Sequence, residues 1–181
     1  MIGIDEQLRD MAERLPAWWS DRIDLRTAAW TGTLTPHRTC YRIRIEYTAP
    51  LVVEDRPLLW IQPLVEVLSP SLRYRFFNPE GSLPHVYPSH PRTPRSGPFL
   101  CLFDDERQEW TPDDHLSETT VPWAANWLSC YETWLATGYW LGSGRHIPPD
   151  PDRIDQIIPF RRQLLGSTAD TSITRNFAAA A

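Results

Sequence analysis

Between Gly81 and Pro98 the chain reads GSLPHVYPSHPRTPRSGP, and its prolines at 84, 88, 91, 94 and 98 interrupt any continuous hydrogen-bonded ladder. Neither a long helix nor a central strand can cross this stretch, so the residues on either side must build their regular structure separately. A structureless segment of this length inside a compact domain is uncommon and is more often functional than not. It runs into PFLCLFDDERQEWTP, residues 98–112, where Phe99, Leu100, Leu102 and Phe103 read as a short buried strand. Cys101 therefore lies where a long irregular loop feeds a strand.

Ahead of the proline segment the pattern is one helix and then strands. Ile4, Leu8, Met11 and Leu15 recur at helical spacing behind Asp5, and Pro16 closes the segment. CYRIRIEYTAP alternates: Tyr41, Ile43, Ile45 and Tyr47 face one way, Arg42, Arg44 and Glu46 the other. That is a half-buried strand. AAWTGTL before it and LLWIQPLVEVL after it complete an antiparallel meander, with Pro63 marking an edge or a bulge. LRYRFF is expected as a fourth strand, ended by the turn NPEG.

Behind Cys101 the pattern turns helical. Thr111, Pro112 and Asp114 read as an N-cap, a first-turn proline and a capping-box acid. VPWAANWLSCYETWLATGYW then places Trp123, Trp127, Tyr131, Trp134 and Leu135 on one face of a core helix, with Gly138 near its end. GSGRHIPPDPD reads as a loop, RIDQIIPFRRQLL as a last short helix, and residues 166–181 as a mobile tail. The expected architecture is α+β, a single domain over 1–165 with helices to one side of an antiparallel sheet.

A net charge of −5 argues against nucleic acid as the main partner, because phosphate binding requires a basic surface. No apolar run reaches bilayer length, and MIGIDEQLRD has no signal-peptide core, so no membrane role and a cytoplasmic location are expected. Three cysteines without metal-ligand spacing fit reduced thiols there. The chain has no lysine; all eighteen basic residues are arginine. A GC-rich coding sequence would produce that. So would selection on a carrier of activated acyl groups, since lysine can deprotonate and capture an acyl group and arginine cannot.

Core packing accounts for most of the nine tryptophans better than a sugar-binding platform does. A metal set could be drawn from His85, His90, Cys101 and Asp104, but no spacing fixes a geometry, and no metal or cofactor is expected. Cys130 falls on the aromatic helix face as a buried thiol, and Cys40 precedes a strand with no neighbouring base. Cys101 differs, because its loop supplies histidines, Asp104 and backbone N–H groups. A free thiol is only weakly ionised at pH 7, so a working cysteine needs neighbours that favour the anion. The residues alone leave Cys101 divided between inert filler and nucleophile.

Tyr87, His90-Pro91, Cys101-Leu102 and Trp110-Thr111-Pro112 stand in the order of the active-site segment of the ubiquitin-conjugating (UBC) fold. There a Tyr-His-Pro-Asn motif runs through an extended loop to a Cys-Leu strand and on to Trp-Ser-Pro. More closely, LPHVYP, CLF, EWTPDD and VPWAANWLSCYETWLATGYWLGSGRH resemble the ubiquitin-conjugating-like proteins of bacterial CBASS antiphage operons, encoded beside a cGAS-like nucleotidyltransferase. The resemblance implies a UBC-like fold with a four-stranded meander. It also implies that Cys101 accepts the C-terminal carboxyl group of that nucleotidyltransferase as a thioester, with the need for a separate activating enzyme left open. The asparagine that steadies the oxyanion in the eukaryotic enzymes is missing after His90-Pro91, where Arg92 and Thr93 follow. His85, then His90, or backbone N–H groups are the expected substitutes. The alternatives are a non-catalytic UBC-fold module that grips the nucleotidyltransferase, and a cysteine protease that trims its C-terminus.

Overall fold

A computed structural model describes residues 1–51, 62–79, 81–87, 97–104 and 107–142. His90, the end of the expected domain at 165, the short helix over 153–165 and the tail 166–181 lie outside the described residues. In chain order the elements are α1 (Ile4–Arg14), β1 (Trp19–Arg22), β2 (Thr27–Leu34), β3 (Tyr41–Thr48), β4 (Leu64–Ser69), β5 (Val86–Tyr87), β6 (Phe99–Leu100) and α2 (Thr120–Thr137). The strands form one antiparallel sheet in the order β1-β2-β3-β4-β6-β5. No helix of the described residues is long and apolar enough to cross a membrane.

The alternation of β3 does what its period requires. Tyr41, Ile43, Ile45 and Tyr47 are buried, and the intervening residues are exposed or half-buried. Ile4 and Met11 of α1 and Trp127, Leu128, Tyr131 and Trp134 of α2 share one core with these β3 side chains. Tyr41 meets Tyr131 edge-on at 6.3 Å, and Tyr47 meets Trp110 edge-on at 5.7 Å. This is the expected α+β arrangement, and α2 ends on Gly138 in the left-handed conformation (φ +88°) that a residue with a Cβ rarely adopts.

Among the described residues the sheet has six strands, not four, and two expectations are corrected. LRYRFF is not a strand. The backbone N–H of Arg73 instead donates to the Tyr131 hydroxyl at 2.5 Å, and Arg75 Nη1 donates to the carbonyls of Trp134 and Leu135 at 3.0 and 2.9 Å. Asn78 Nδ2 reaches the Gly138 carbonyl at 2.9 Å. Carbonyls of a last helical turn have no partners within the helix, and this segment supplies them. The place beside β4 is taken by β6. The proline-rich stretch, in turn, is not wholly irregular: Val86 and Tyr87 pair with Leu100 and Phe99 between its prolines. β1 has no apolar alternation, because all four of its residues are exposed on the sheet edge.

Gln7 is a buried side chain that polarity would place outside. It is fully buried on α1, with Nε2 donating to the Asp114 carbonyl at 2.8 Å and Oε1 accepting the Leu116 N–H at 3.1 Å. One amide thus ties the first helix to the turns that precede α2. Gln7→Leu keeps the bulk and strands both backbone groups, so it should lower stability by about 2 kcal/mol in urea unfolding. A change under about 0.5 kcal/mol would mean that water satisfies those groups instead.

The Thr111–Asp114 box forms, but not at a helix start. The Thr111 N–H donates to Asp114 Oδ2 at 2.7 Å, and the Asp113 N–H donates to Thr111 Oγ1 at 3.3 Å. The residues that follow are turns, and α2 begins only at Thr120. Trp110, just ahead, is fully buried and stacks on Phe103 at 5.9 Å. That contact anchors the chain leaving Cys101 to the core.

Candidate active site

Cys101 is the first residue after β6 and is half-buried, whereas Cys40 is exposed and Cys130 buried. Its position is determined by β5. The Cys101 N–H donates to the His85 carbonyl at 3.0 Å, and the same carbonyl accepts the Trp127 Nε1–H at 2.9 Å. His85 itself adopts the left-handed conformation, φ +52°, which non-glycine residues seldom occupy. Its ring stacks on Trp140 with centroids 4.9 Å apart and planes 29° apart. Trp140 in turn lies against Trp127 at 5.3 Å.

Residues 138–142 therefore double back along α2. Gly142 is tight there: a Cβ on it would stand 2.5 Å from Trp140 Nε1 and 3.2 Å from Cys130 Sγ. The cleft between this strap, α2 and the Cys101 loop has a volume of about 470 Å³. Cys101, His85, Leu102, Glu109, Asn126 and Trp123 are among its lining residues, as are Cys130, Trp127 and Trp140. Two sulfurs thus face one cleft under different conditions. Burial pushes the Cys130 thiol up, so at neutral pH it stays protonated and unreactive. Cys101 has polar company: its Sγ–H donates to the Tyr87 hydroxyl at 3.3 Å, with a longer contact of 3.9 Å to the Phe103 carbonyl.

Of the residues expected to act, Cys101 and His85 are brought to one cleft, and His90 lies outside the described residues. In the sequence Tyr87 stands in a motif without an assigned role, and no pattern marks Trp140 or Asn126. Nothing local could have assigned them. Tyr87 reaches Cys101 because β5 pairs with β6 fourteen residues on, and Trp140 reaches His85 because the chain reverses after Gly138.

Fold and site together define an α+β protein in which a half-buried thiol, directly after β6 and beside the edge strand β5, lines an aromatic cleft. The chain belongs to the family of Type II CBASS E2 proteins, whose model, E2-CBASS, matches residues 7–147 and so spans every described residue of the site. No curated protein matches the chain significantly.

Proposed function

We propose that this chain is an acyl-carrying enzyme of ubiquitin-conjugating type with a UBC-like fold. In this reading Cys101 takes the C-terminal carboxyl group of a cGAS-like nucleotidyltransferase as a thioester and thereby regulates CBASS signalling. The observation that carries it is the half-buried Cys101 sulfur opening onto the aromatic cleft in a chain of the Type II CBASS E2 family. The order helix, meander, cysteine loop, helix supports the fold assignment.

The chemistry is acyl transfer. The thiolate attacks the carbonyl carbon of an activated C-terminus, and a tetrahedral oxyanion forms. Its collapse expels the activating group and leaves a sulfur–carbonyl bond. An amine, another thiol or water later takes the acyl group and returns the sulfur. His85, His90 or backbone N–H groups of the loop would support the oxyanion. The cleft walls would hold the last residues of the donor tail and limit the access of water to the thioester.

Co-expressed with its nucleotidyltransferase, the protein should run as a heavier species on a non-reducing denaturing gel. Hydroxylamine should collapse that species without any reductant, because it cleaves thioesters and leaves amides and disulfides intact. The absence of lysine sharpens the test, since no side-chain amine of this chain can convert the thioester into a stable isopeptide. A band that survives hydroxylamine, with no partner C-terminal residue on Cys101 by mass spectrometry, would overturn the reading.

A further inference from the structure

The geometry points to the Tyr87 hydroxyl as a catalytic group that holds Cys101 as the attacking thiolate. The inference rests on the reading of Cys101 as the nucleophile and adds the residue that prepares it. In the neutral state the Cys101 Sγ–H donates to Tyr87 Oη at 3.3 Å. Once the thiol proton has left to solvent, the contact reverses: the phenol, which can donate as well as accept, turns its O–H towards the sulfur anion. A hydrogen bond to the charged form favours that form, and bonds to charged groups are among the stronger ones in proteins.

Three features make this contact a built one. Tyr87 is on β5 and Cys101 directly follows β6, and the pairing of Val86 with Leu100 and Tyr87 with Phe99 fixes the spacing between them. The His85 carbonyl, by accepting both the Cys101 N–H and the Trp127 Nε1–H, ties that pair of strands to α2. Tyr87 itself is half-buried, so its hydroxyl meets the sulfur where competition from water is reduced. Among the described residues, the titratable groups that line the cleft with Cys101 are His85 from the turn before β5, Glu109 from the loop after β6, and Cys130 from α2. The Glu109 carboxyl group accepts the Asp104 N–H at 2.9 Å, and a carboxylate on the same cleft wall opposes a negative charge on sulfur. Against that charge, a hydrogen bond donated to the sulfur favours the thiolate.

The test is the pH dependence of iodoacetamide alkylation on the isolated full chain, which needs no partner protein. Cleavage at arginine puts Cys40, Cys101 and Cys130 on three different peptides, so each is followed separately by mass spectrometry. In Tyr87→Phe the midpoint for Cys101 should rise by about one pH unit, the worth of one hydrogen bond to a charged group. Its rate at pH 7 should fall only about threefold, because a more basic thiolate is also a better nucleophile. Cys40 should titrate as before. Val86→Ala loosens the same short strand without touching the hydroxyl, and it should leave the Cys101 midpoint in place.

An unchanged midpoint in Tyr87→Phe overturns the inference, and so does an equal rise in Val86→Ala. A shifted midpoint in a protein that never forms a hydroxylamine-sensitive species would uphold the Tyr87 contact and sink the acyl-transfer reading, so the two failures are distinguishable.

Discussion

Cys101→Ala should fold as the parent does and never form the heavier hydroxylamine-sensitive species. The side chain is small and half-buried, so its truncation should cost about 1 kcal/mol or less. A methyl group has no lone pair to attack a carbonyl, so the loss of acyl transfer should be complete. Phage protection by the operon should drop to the level of a strain lacking this gene. Cys101→Ser adds a second reading: a trapped oxyester resists thiols and yields to alkali. Cys40→Ala should change nothing, since that thiol is exposed and is not among the cleft-lining residues. If Cys101→Ala and Cys101→Ser both kept full protection, the protein would act by gripping its partner and the thiol would be incidental.

The second large effect is on stability. Trp134 is fully buried, with Tyr131 6.0 Å from its ring and the Arg75 guanidinium 6.0 Å above it. Trp134→Ala should cost about 3–5 kcal/mol through lost burial and the cavity left behind. It also removes the surface that steers Arg75 to the last carbonyls of α2. Measured by urea unfolding, that is a large share of the 5–15 kcal/mol typical of a domain. Trp134→Phe should recover part of the loss. A cost under about 1.5 kcal/mol would mean that the core collapses readily around the gap. Trp123 lies half-buried on the cleft wall rather than in the core, so Trp123→Ala should cost clearly less.

The contrast between these two tryptophans shows where periodicity stops. Both stand at helical spacing on one face of α2, and the sequence places them together. Only the tertiary structure separates a side chain in the core from one on the cleft wall, because a helix face is broad and its neighbours differ along its length. The exposed Phe76 and Phe77 make the converse case. Their apolar, aromatic composition reads as strand, yet the segment binds Tyr131 of α2 through Arg73 and the end of that helix through Arg75 and Asn78. A strand needs a partner edge, and that edge went to Phe99.

By itself the sequence determined the elements whose signal is periodic and local. These are the α1 helix, the two-faced β3 strand, the aromatic helix that ends at Gly138, and the α+β order around a proline-rich segment. It also set Cys101 apart from Cys40 and Cys130 as a candidate, because histidines and Asp104 stand near it in the chain. What it could not determine are contacts between residues far apart in the chain. Two-residue strands such as β5 and β6 carry too little pattern to announce a register, and register is what sets the Tyr87 hydroxyl against the Cys101 sulfur. The burial of Gln7 and the strap that stacks Trp140 on His85 belong to the same class. Each is decided by which backbone donors and ring faces the packed chain leaves in need of a partner, and that need exists only once the fold has formed.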